Sequence, residues 1–365
     1  MDKKRLNHLL YFWLSVCRVT PRRLNKLLEI YEIEELFDRV KKDTKIEDLV
    51  GKEKYALLTK SANFDLLQKT YDGLYEYGIK FLAQCDDEFQ GRLKQKEVSP
   101  PIGIYYKGDI SLIMDDKPSV GIVGTRRSSS YGRDMAVKFA AELSGYQIKI
   151  VSGLATGIDA YSHDSCLKSD GKAIAVLGMG HNKFGPADNI KLYSRICESG
   201  LVISEYTPNF EATKYTFPER NRLIAALSDA VIIIEAAKQS GGLITADFAL
   251  EQGKEVFAVP GNITSAKSQG TNKLIQSGAN MLLETQDVLN FFNLKNTKLG
   301  KENCQIKLDF YETSVYNLLQ IESLSVDELE DKTDFSVPEL LTILFSLEMK
   351  NAVKKMEGNK YRIIN

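Results

Sequence analysis

The sequence predicts an α/β protein built on a doubly wound, mainly parallel sheet, with a helical bundle before it and a winged helix-turn-helix after it. Between residues 119 and 261, six short β-branched runs alternate with helical patterns: VGIVG, IKIVSG, AIAVLG, LVISEY, AVIIIEAA and EVFAVPG. Such alternation marks βαβ units and a parallel sheet buried on both faces. On either side the texture changes. Residues 1–78 carry helical spacing and almost no strand signal, and residues 306–365 carry three helical patterns that close on a short hairpin. The expected divisions are a helical domain over 1–78, a sheet domain over 79–292, a linker over 293–305 and a winged-helix domain over 306–365.

Taking the chain in order, Lys3, Lys4 and Arg5 before an apolar stretch resemble a short leader, but no small-residue cleavage site follows. The segment reads instead as a buried helix. Leu9, Leu10, Trp13 and Val16 form one apolar stripe, and Leu24, Leu27, Leu28, Tyr31 and Leu36 the next, with Thr20 as N-cap and Pro21 as first helical residue between them. After Lys80, FLAQC reads as an edge strand, Pro100 and Pro101 as an extended entry, and IGIYY as another strand.

The residues that end the strands of the alternating region are informative. The first strand runs into Gly124-Thr125-Arg126-Arg127, the second into SGLATG, the third into GMG and the fifth into Ser240-Gly241-Gly242. Doubly wound sheets bind ligands at the carboxyl ends of their strands. A strand that stops at a glycine before a helix offers backbone N–H groups and the positive end of the helix dipole to an anion. Arginine adds a fork that grips a phosphate at two points. The plainer alternative is that the glycines punctuate the chain and the arginines form a solvated rim. Four such ends on one edge beside arginines favour a phosphate-lined groove. After the fourth strand, residues 207–221, TPNFEATKYTFPERN, read as a long loop in which Phe210 and Phe217 interleave with Lys214 and Arg220, with Arg222 just beyond. Rings that stack on bases and cations that hold the backbone suit a single strand of nucleic acid; the alternative is a loop pinned by apolar anchors.

Past the linker, helical patterns begin near Tyr311, Ser325 and Ser336, and VKKMEGNKYRII reads as two short strands around a turn. Three helices and a wing describe a winged helix-turn-helix. Its third helix, PELLTILFSLEMK, is apolar and acidic, with little to read base edges. A protein-binding or structural role is expected, with backbone contact from Lys354 and Lys355 at most.

Several classes are disfavoured. The formal net charge is −1, so any polyanion site must be a local patch. Cys17, Cys85, Cys166, Cys197 and Cys304 lie far apart with no CxxC pair, which suggests neither a disulfide framework nor a zinc site. No cofactor is expected. No apolar run approaches the roughly 20 residues of a membrane span, and a cytoplasmic protein with no membrane partner is expected. The first strand lacks GxGxxG, the second ends at Ser152 rather than an acid, and GxxxxGK[ST] is absent. His163 and His181 sit in no HExxH or GxSxG context, and Asp159, Glu205 and Glu235 suit capping or arginine pairing better than acid–base work.

With those segments assembled, the chain resembles the DprA/Smf family of DNA-processing proteins. The resemblance rests on GIVGTRR, IVSGLATGIDAYSH, AIAVLGMG, FPERNRLIAALS, EAAKQSGGLITADFALEQGKEVFAVPG and NKLIQSGA, which together span about residues 120–279 in the family's order. It implies an extended Rossmann-like domain that binds single-stranded DNA, forms a homodimer, protects incoming strands and loads the RecA recombinase onto them in natural transformation, without catalytic chemistry. Carried over by position, the family's phosphate motif falls on Gly124, Thr125 and Arg126. Its basic and aromatic pair falls on Lys214 and Phe217, followed by Arg220, Asn221 and Arg222. The family's dimer surface falls near residues 257–280. The N-terminal bundle resembles a sterile-alpha-motif or helix-hairpin-helix module, but VTPRRLN lacks the glycine hairpin of a DNA-binding version.

The expected site is therefore Gly124, Thr125, Arg126, Lys214, Phe217, Arg220, Asn221, Arg222, Ser240, Gly241 and Gly242, with no catalytic residue and no metal ligand. The rival is an enzyme: SGGLITADFALE looks like the PGGxGTxxE motif of nucleoside-monophosphate phosphoribohydrolases, with Phe248 where the motif's glutamate should stand. A third reading, a duplex-specific regulator acting through the winged helix, predicts tighter binding to duplex than to single strand.

Overall fold

The strand-like runs pair into one nine-stranded sheet in a computed structural model that describes residues 2–89, 91–95, 99–294, 308–333, 335–350, 352–356 and 359–363. All but the first two residues of the expected linker, and two residues of the wing turn, lie outside that set. The chain divides into two compact units, Met1–Thr297 and Lys298–Asn365.

The first unit opens with six helices: α1 (Lys3–Val16), α2 (Pro21–Leu28), α3 (Ile33–Arg39), α4 (Lys45–Val50), α5 (Lys52–Ser61) and α6 (Phe64–Glu76). The predicted stripes bury Leu9, Leu10, Trp13, Leu24, Leu27 and Leu36. Leu28, the last residue of α2, is exposed. Pro21 starts α2 as expected, although the Thr20 side chain makes no capping bond. The bundle shares its core with Phe81, Ala83 and Tyr105 of the first two strands.

Those strands are β1 (Lys80–Ala83) and β2 (Gly103–Gly108), followed by β3 (Ser119–Val123), β4 (Lys149–Ser152), β5 (Ala173–Leu177), β6 (Leu201–Ser204), β7 (Ala230–Ile233), β8 (Glu255–Ala258) and β9 (Asn280–Met281). Their order is β1-β2-β6-β5-β4-β3-β7-β8-β9. Pairing is parallel from β6 to β9, while β2 joins β1 and β6 antiparallel. Helices α7 (Ser130–Gly145), α8 (Ile158–Lys168), α9 (Ile190–Ser199), α10 (Thr216–Ala226), α11 (Gly241–Glu251), α12 (Gln269–Gln276) and α13 (Thr285–Phe291) complete the unit. Apolar residues of α7, α8, α9 and α13 cover one face, and those of α10, α11 and α12 the other, which is why β3, β4 and β5 are buried throughout. The chain winds outward from β3 to β6, then returns to pair β7 on the other side of β3. The carboxyl end of β3 is thus the switch point of the sheet, where a crevice opens between diverging connections.

One expectation is corrected here. Residues 207–221 are not all loop, because α10 begins at Thr216 and carries Phe217, Arg220 and Asn221 on its first two turns. Pro218 reads as a breaker, but in the first turn of a helix its missing N–H would have no partner anyway.

The second unit holds α14 (Phe310–Ile321), β10 (Leu324–Ser325), α15 (Val326–Glu330), α16 (Val337–Met349), β11 (Val353–Lys355) and β12 (Lys360–Ile363), with sheet order β10-β12-β11. Capping boxes at Asp309–Glu312, Ser325–Glu328 and Ser336–Glu339 start its three helices. Glu312 is 2% exposed, and its carboxylate accepts from Lys350 Nζ at 2.6 Å and Ser346 Oγ at 2.7 Å. Burial pushes this carboxyl up, but the bonds from Lys350, Ser346 and the Asp309 N–H outweigh it and hold it below its ordinary value. A carboxyl lowered by folding stabilises the fold above its unfolded pKa of about 4.3, and that contribution is lost as the pH falls through the lowered value. Lys350→Met is expected to move this acid loss to higher pH, as read by hydrogen exchange of α14 amides across a pH series. Among the described residues of both units, no helix is long and apolar enough to cross a membrane.

Candidate nucleic-acid interface

At the switch point the anion seat foreseen at the start of α7 is already filled from within the chain. The Glu235 carboxylate, 3% exposed, accepts from the Ser129 N–H at 2.9 Å and from the Ser129 hydroxyl at 2.5 Å. A buried carboxylate at a helix N-terminus satisfies both the orphan N–H groups and the dipole. Thr125 is engaged too, since its N–H donates to the Glu235 backbone carbonyl at 2.9 Å. The expectation that the Thr125 N–H would hold a phosphate is therefore corrected. Its hydroxyl accepts from the Arg127 N–H at 3.3 Å.

Most of the edge glycines likewise answer to the chain's own packing. A Cβ on Gly124 would stand 2.7 Å from Ile158 Cγ1, one on Gly178 would stand 2.9 Å from the Phe217 ring, and one on Gly153 would strike the Arg220 guanidinium. Gly157, with φ of +80°, adopts a left-handed backbone in which a side chain is strained. The SGG segment is different. Gly241 has nothing within 4 Å of its Cβ position, and Gly242 has nothing nearer than the Gly124 backbone at 3.5 Å. Ser240 caps α11, its hydroxyl accepting from the Gly242 N–H.

Three of the expected contact residues are tied to partners within the chain, although Arg220 and Asn221 also line the groove. Arg220 is 5% exposed; it donates to the Gly153 carbonyl at 2.8 Å and to the Val176 carbonyl, tying α10 to the ends of β4 and β5. Burial lowers its guanidinium to about 10, against the supporting charge of Asp159. Asp159 accepts from the Gly153 and Ala155 N–H groups at 3.1 and 3.4 Å. Burial pushes its carboxyl up against the pull of Arg220. Arg222 pairs with Glu205 at 2.5 Å, both largely buried, and Asn221 donates to the Gly241 carbonyl at 3.2 Å. A track extended by the Arg220 and Arg222 charges is thus corrected. The cause is tertiary, since Arg220 is drawn to the strand-end carbonyls of Gly153 and Val176 and Arg222 to Glu205.

What remains open is a groove of about 530 Å³ whose rim carries Arg126 and Lys214 and whose walls include Phe217, Ser240 and Gly241. Arg126 lies over the Phe217 ring, 4.7 Å from its centroid, and Lys214 lies 5.0 Å from the ring of Tyr215. Neither makes an ion pair among the described residues. An adjoining hollow of about 350 Å³ shares Arg126 and Phe217 and is lined by Leu154, Leu177, Met179 and Phe184. Such an apolar recess beside two cations offers room for a base next to its phosphate. Sequence reasoning missed this hollow, because its lining comes from the segments that follow four separate strands, and it passed over Tyr215, which is 68% exposed. Phe210 faces elsewhere, stacked on Tyr206. Neither histidine of the sheet region reaches the surface. Burial takes His163 down to about 3 and His181 to about 4, and His181 lies 2.9 Å from the Tyr193 hydroxyl and 3.0 Å from the Tyr105 carbonyl. Among the described residues no three His, Cys, Asp or Glu side chains gather as a metal site would require.

A doubly wound sheet with an open, cation-rimmed groove at its switch point defines a Rossmann-like domain, here without the dinucleotide fingerprint at its first strand. The chain belongs to the DNA recombination-mediator protein A family, whose model matches residues 80–293, and the model of the DprA winged helix domain matches residues 307–359. It is 38% identical over 213 residues to the DNA processing protein DprA of Bacillus subtilis, covering 58% of this chain and 71% of that protein. It is 32% identical over 292 residues to protein Smf of Escherichia coli, covering 77% of each. The solved structure of DprA from Streptococcus pneumoniae superposes with a TM-score of 0.65 at 34% identity, over 77% of this chain and 97% of that one. DNA processing protein A from Helicobacter pylori, whose structure concerns its single-stranded DNA binding mode, superposes at 0.52 with 32% identity, over 59% of this chain and 95% of that one.

Proposed function

We propose that this protein binds single-stranded DNA in the groove at the carboxyl end of β3, protects incoming strands and loads the RecA recombinase onto them, acting as a cytoplasmic homodimer without catalysis. The observation that carries the reading is the Arg126–Phe217 pair at the switch point, a cation stacked on a ring beside an apolar recess. Arg126 and Lys214 hold phosphates, the open backbone at Gly241 and Gly242 lets the strand approach, and Phe217 lies against a base. The Helicobacter pylori relative supports a single strand as the ligand. At the far edge of the sheet, β9 pairs only with β8 and leaves Met281 and Leu283 exposed, which suits a subunit contact along that edge.

Anisotropy of a labelled poly-pyrimidine strand and its duplex, at two salt concentrations, tests the reading. Preference for the single strand is expected, with a log–log salt slope of about −0.7 per phosphate neutralised; preference for the duplex would move the site to the winged helix. The hydrolase rival makes a separate prediction. Phe248 packs against the core beneath α11 and supplies no carboxylate, so incubation with nucleoside monophosphates is expected to release no free base.

A further inference from the structure

The segment that walls the groove has a second face. Lys214 reaches the groove on one side, while Tyr206 and Phe210 line a cleft of about 420 Å³ against the turn between α1 and α2. Phe210 stacks on Tyr206 with centroids 4.8 Å apart and planes at 14°. The Arg18 guanidinium covers the other face of Phe210 at 4.3 Å. Arg18 has φ of 55°, a left-handed conformation uncommon for such a residue. Bonds from its N–H to the Ser15 carbonyl at 2.9 Å and from the Val19 N–H to the Leu14 carbonyl at 3.1 Å hold it there.

Arg22 and Lys54 line the same cleft. Among the described residues Arg18 and Arg22 make no ion pair, and Lys54 has only its sequence neighbour Glu53, at 4.0 Å. The carboxylates on the opposite wall are engaged, Glu205 with Arg222 at 2.5 Å and Glu219 with the Tyr206 hydroxyl at 3.0 Å. Burial, and after it the Arg18 charge, holds the Lys54 ammonium below its ordinary pKa. Arg18, Arg22, Lys54 and Arg222 outnumber the carboxylates of Glu205 and Glu219 in the cleft, and such an excess of cations is relieved when an anionic ligand enters. A guanidinium laid flat on a ring still directs its N–H donors outward in its own plane, the geometry that a phosphate accepts.

We propose that this cleft is a second phosphate site for the same DNA strand, which crosses the 207–215 segment after leaving the groove. The proposal rests on the groove reading above. Phe210 and Lys214 are four residues apart, at most about 14 Å of chain, so a short stretch of strand reaches both. The outer face of Arg18 also offers a plane on which a base stacks, which favours a nucleic acid over an acidic peptide.

Anisotropy with the full chain and two oligothymidylates, one of about two nucleotides, too short to bridge the groove and the cleft, and one of about twenty, tests it. The first variant combines Arg18→Asn, a residue that tolerates the left-handed backbone, with Arg22→Gln and Lys54→Gln. The second, Phe210→Leu, keeps every charge and removes the ring beneath Arg18. With the longer strand, the charge variant is expected to bind about tenfold more weakly, with a salt slope shallower by about 0.7 per phosphate lost, and Phe210→Leu to show a smaller loss. Binding of the shorter strand is expected to depend on Arg126 and to stay unchanged in both cleft variants. Unchanged binding of the longer strand in both variants overturns the proposal. So does binding of a poly-aspartate peptide that only the charge variant loses while the long strand does not distinguish the proteins. If instead the shorter strand is indifferent to Arg126→Ala but lost in the charge variant, the groove reading fails and the cleft stands.

Discussion

Replacing Arg126 by alanine is expected to weaken single-strand binding by roughly 10- to 100-fold and to leave the fold intact. Arg126 is exposed at the mouth of the groove, so the fold loses only its contact with the Phe217 ring. A charge-assisted hydrogen bond to a phosphate contributes about 1.5–3 kcal/mol, and each 1.4 kcal/mol is tenfold in affinity. The salt slope is expected to fall by about 0.7, one phosphate's worth. Its neighbour Arg127 does not line the groove, and Arg127→Ala is expected to have the smaller effect. Anisotropy at two salt concentrations reads both numbers. Wild-type affinity in Arg126→Ala would remove the groove from the mechanism and direct attention to a small nucleotide at the sheet edge.

Arg220→Met is expected to act in the opposite way, costing about 3–5 kcal/mol of stability because one member of a buried charged set is removed. That is a large share of the 5–15 kcal/mol by which a domain is stable. The variant strips the Gly153 and Val176 carbonyls of their donor and leaves Asp159 buried without the charge that opposes its desolvation. Burial already raises the Asp159 carboxyl, so the folded protein binds its proton more readily than the unfolded chain. Without Arg220 that carboxyl rises further, and stability is gained as the pH falls through its folded pKa. The penalty in Arg220→Met is therefore expected to be largest at neutral pH and to shrink in mild acid. Adding Asp159→Asn is expected to recover part of it, as a coupled pair does. Urea denaturation of the two single variants and the double variant, at two pH values, measures both effects. Equal costs at both pH values, with strict additivity, would mean that Arg220 acts only by filling space.

These two arginines show how far the chain could be read before it was folded. Arg126 stands in a motif of glycine and cations, Arg220 in one of aromatic residues and cations, and both read as phosphate contacts. Arg126 precedes its helix and stays in solvent. Arg220 lies one turn into α10, a helix whose apolar periodicity becomes visible only at Leu223, so its inward direction could not be seen from residue types. The winged helix was clearer, because the Ser325 and Ser336 caps announce where its helices begin. The small helices α12 and α13 and the two-residue strand β9 left no comparable pattern.

Hydrophobic period, strand-end glycines and caps were enough to establish the order of elements, the parallel sheet and the edge on which a ligand would lie, since each is a local property of neighbouring residues. Which donors on that edge remain available was settled by partners distant in sequence. Glu235 takes the helix seat at Ser129 from 106 residues away, and the Gly153 carbonyl takes Arg220 from 67 residues away. Buried polar groups must be matched wherever the fold brings a partner within reach. The unmatched cations, Arg126 and Lys214 at the groove and Arg18 beside Phe210, are visible only once that matching is complete.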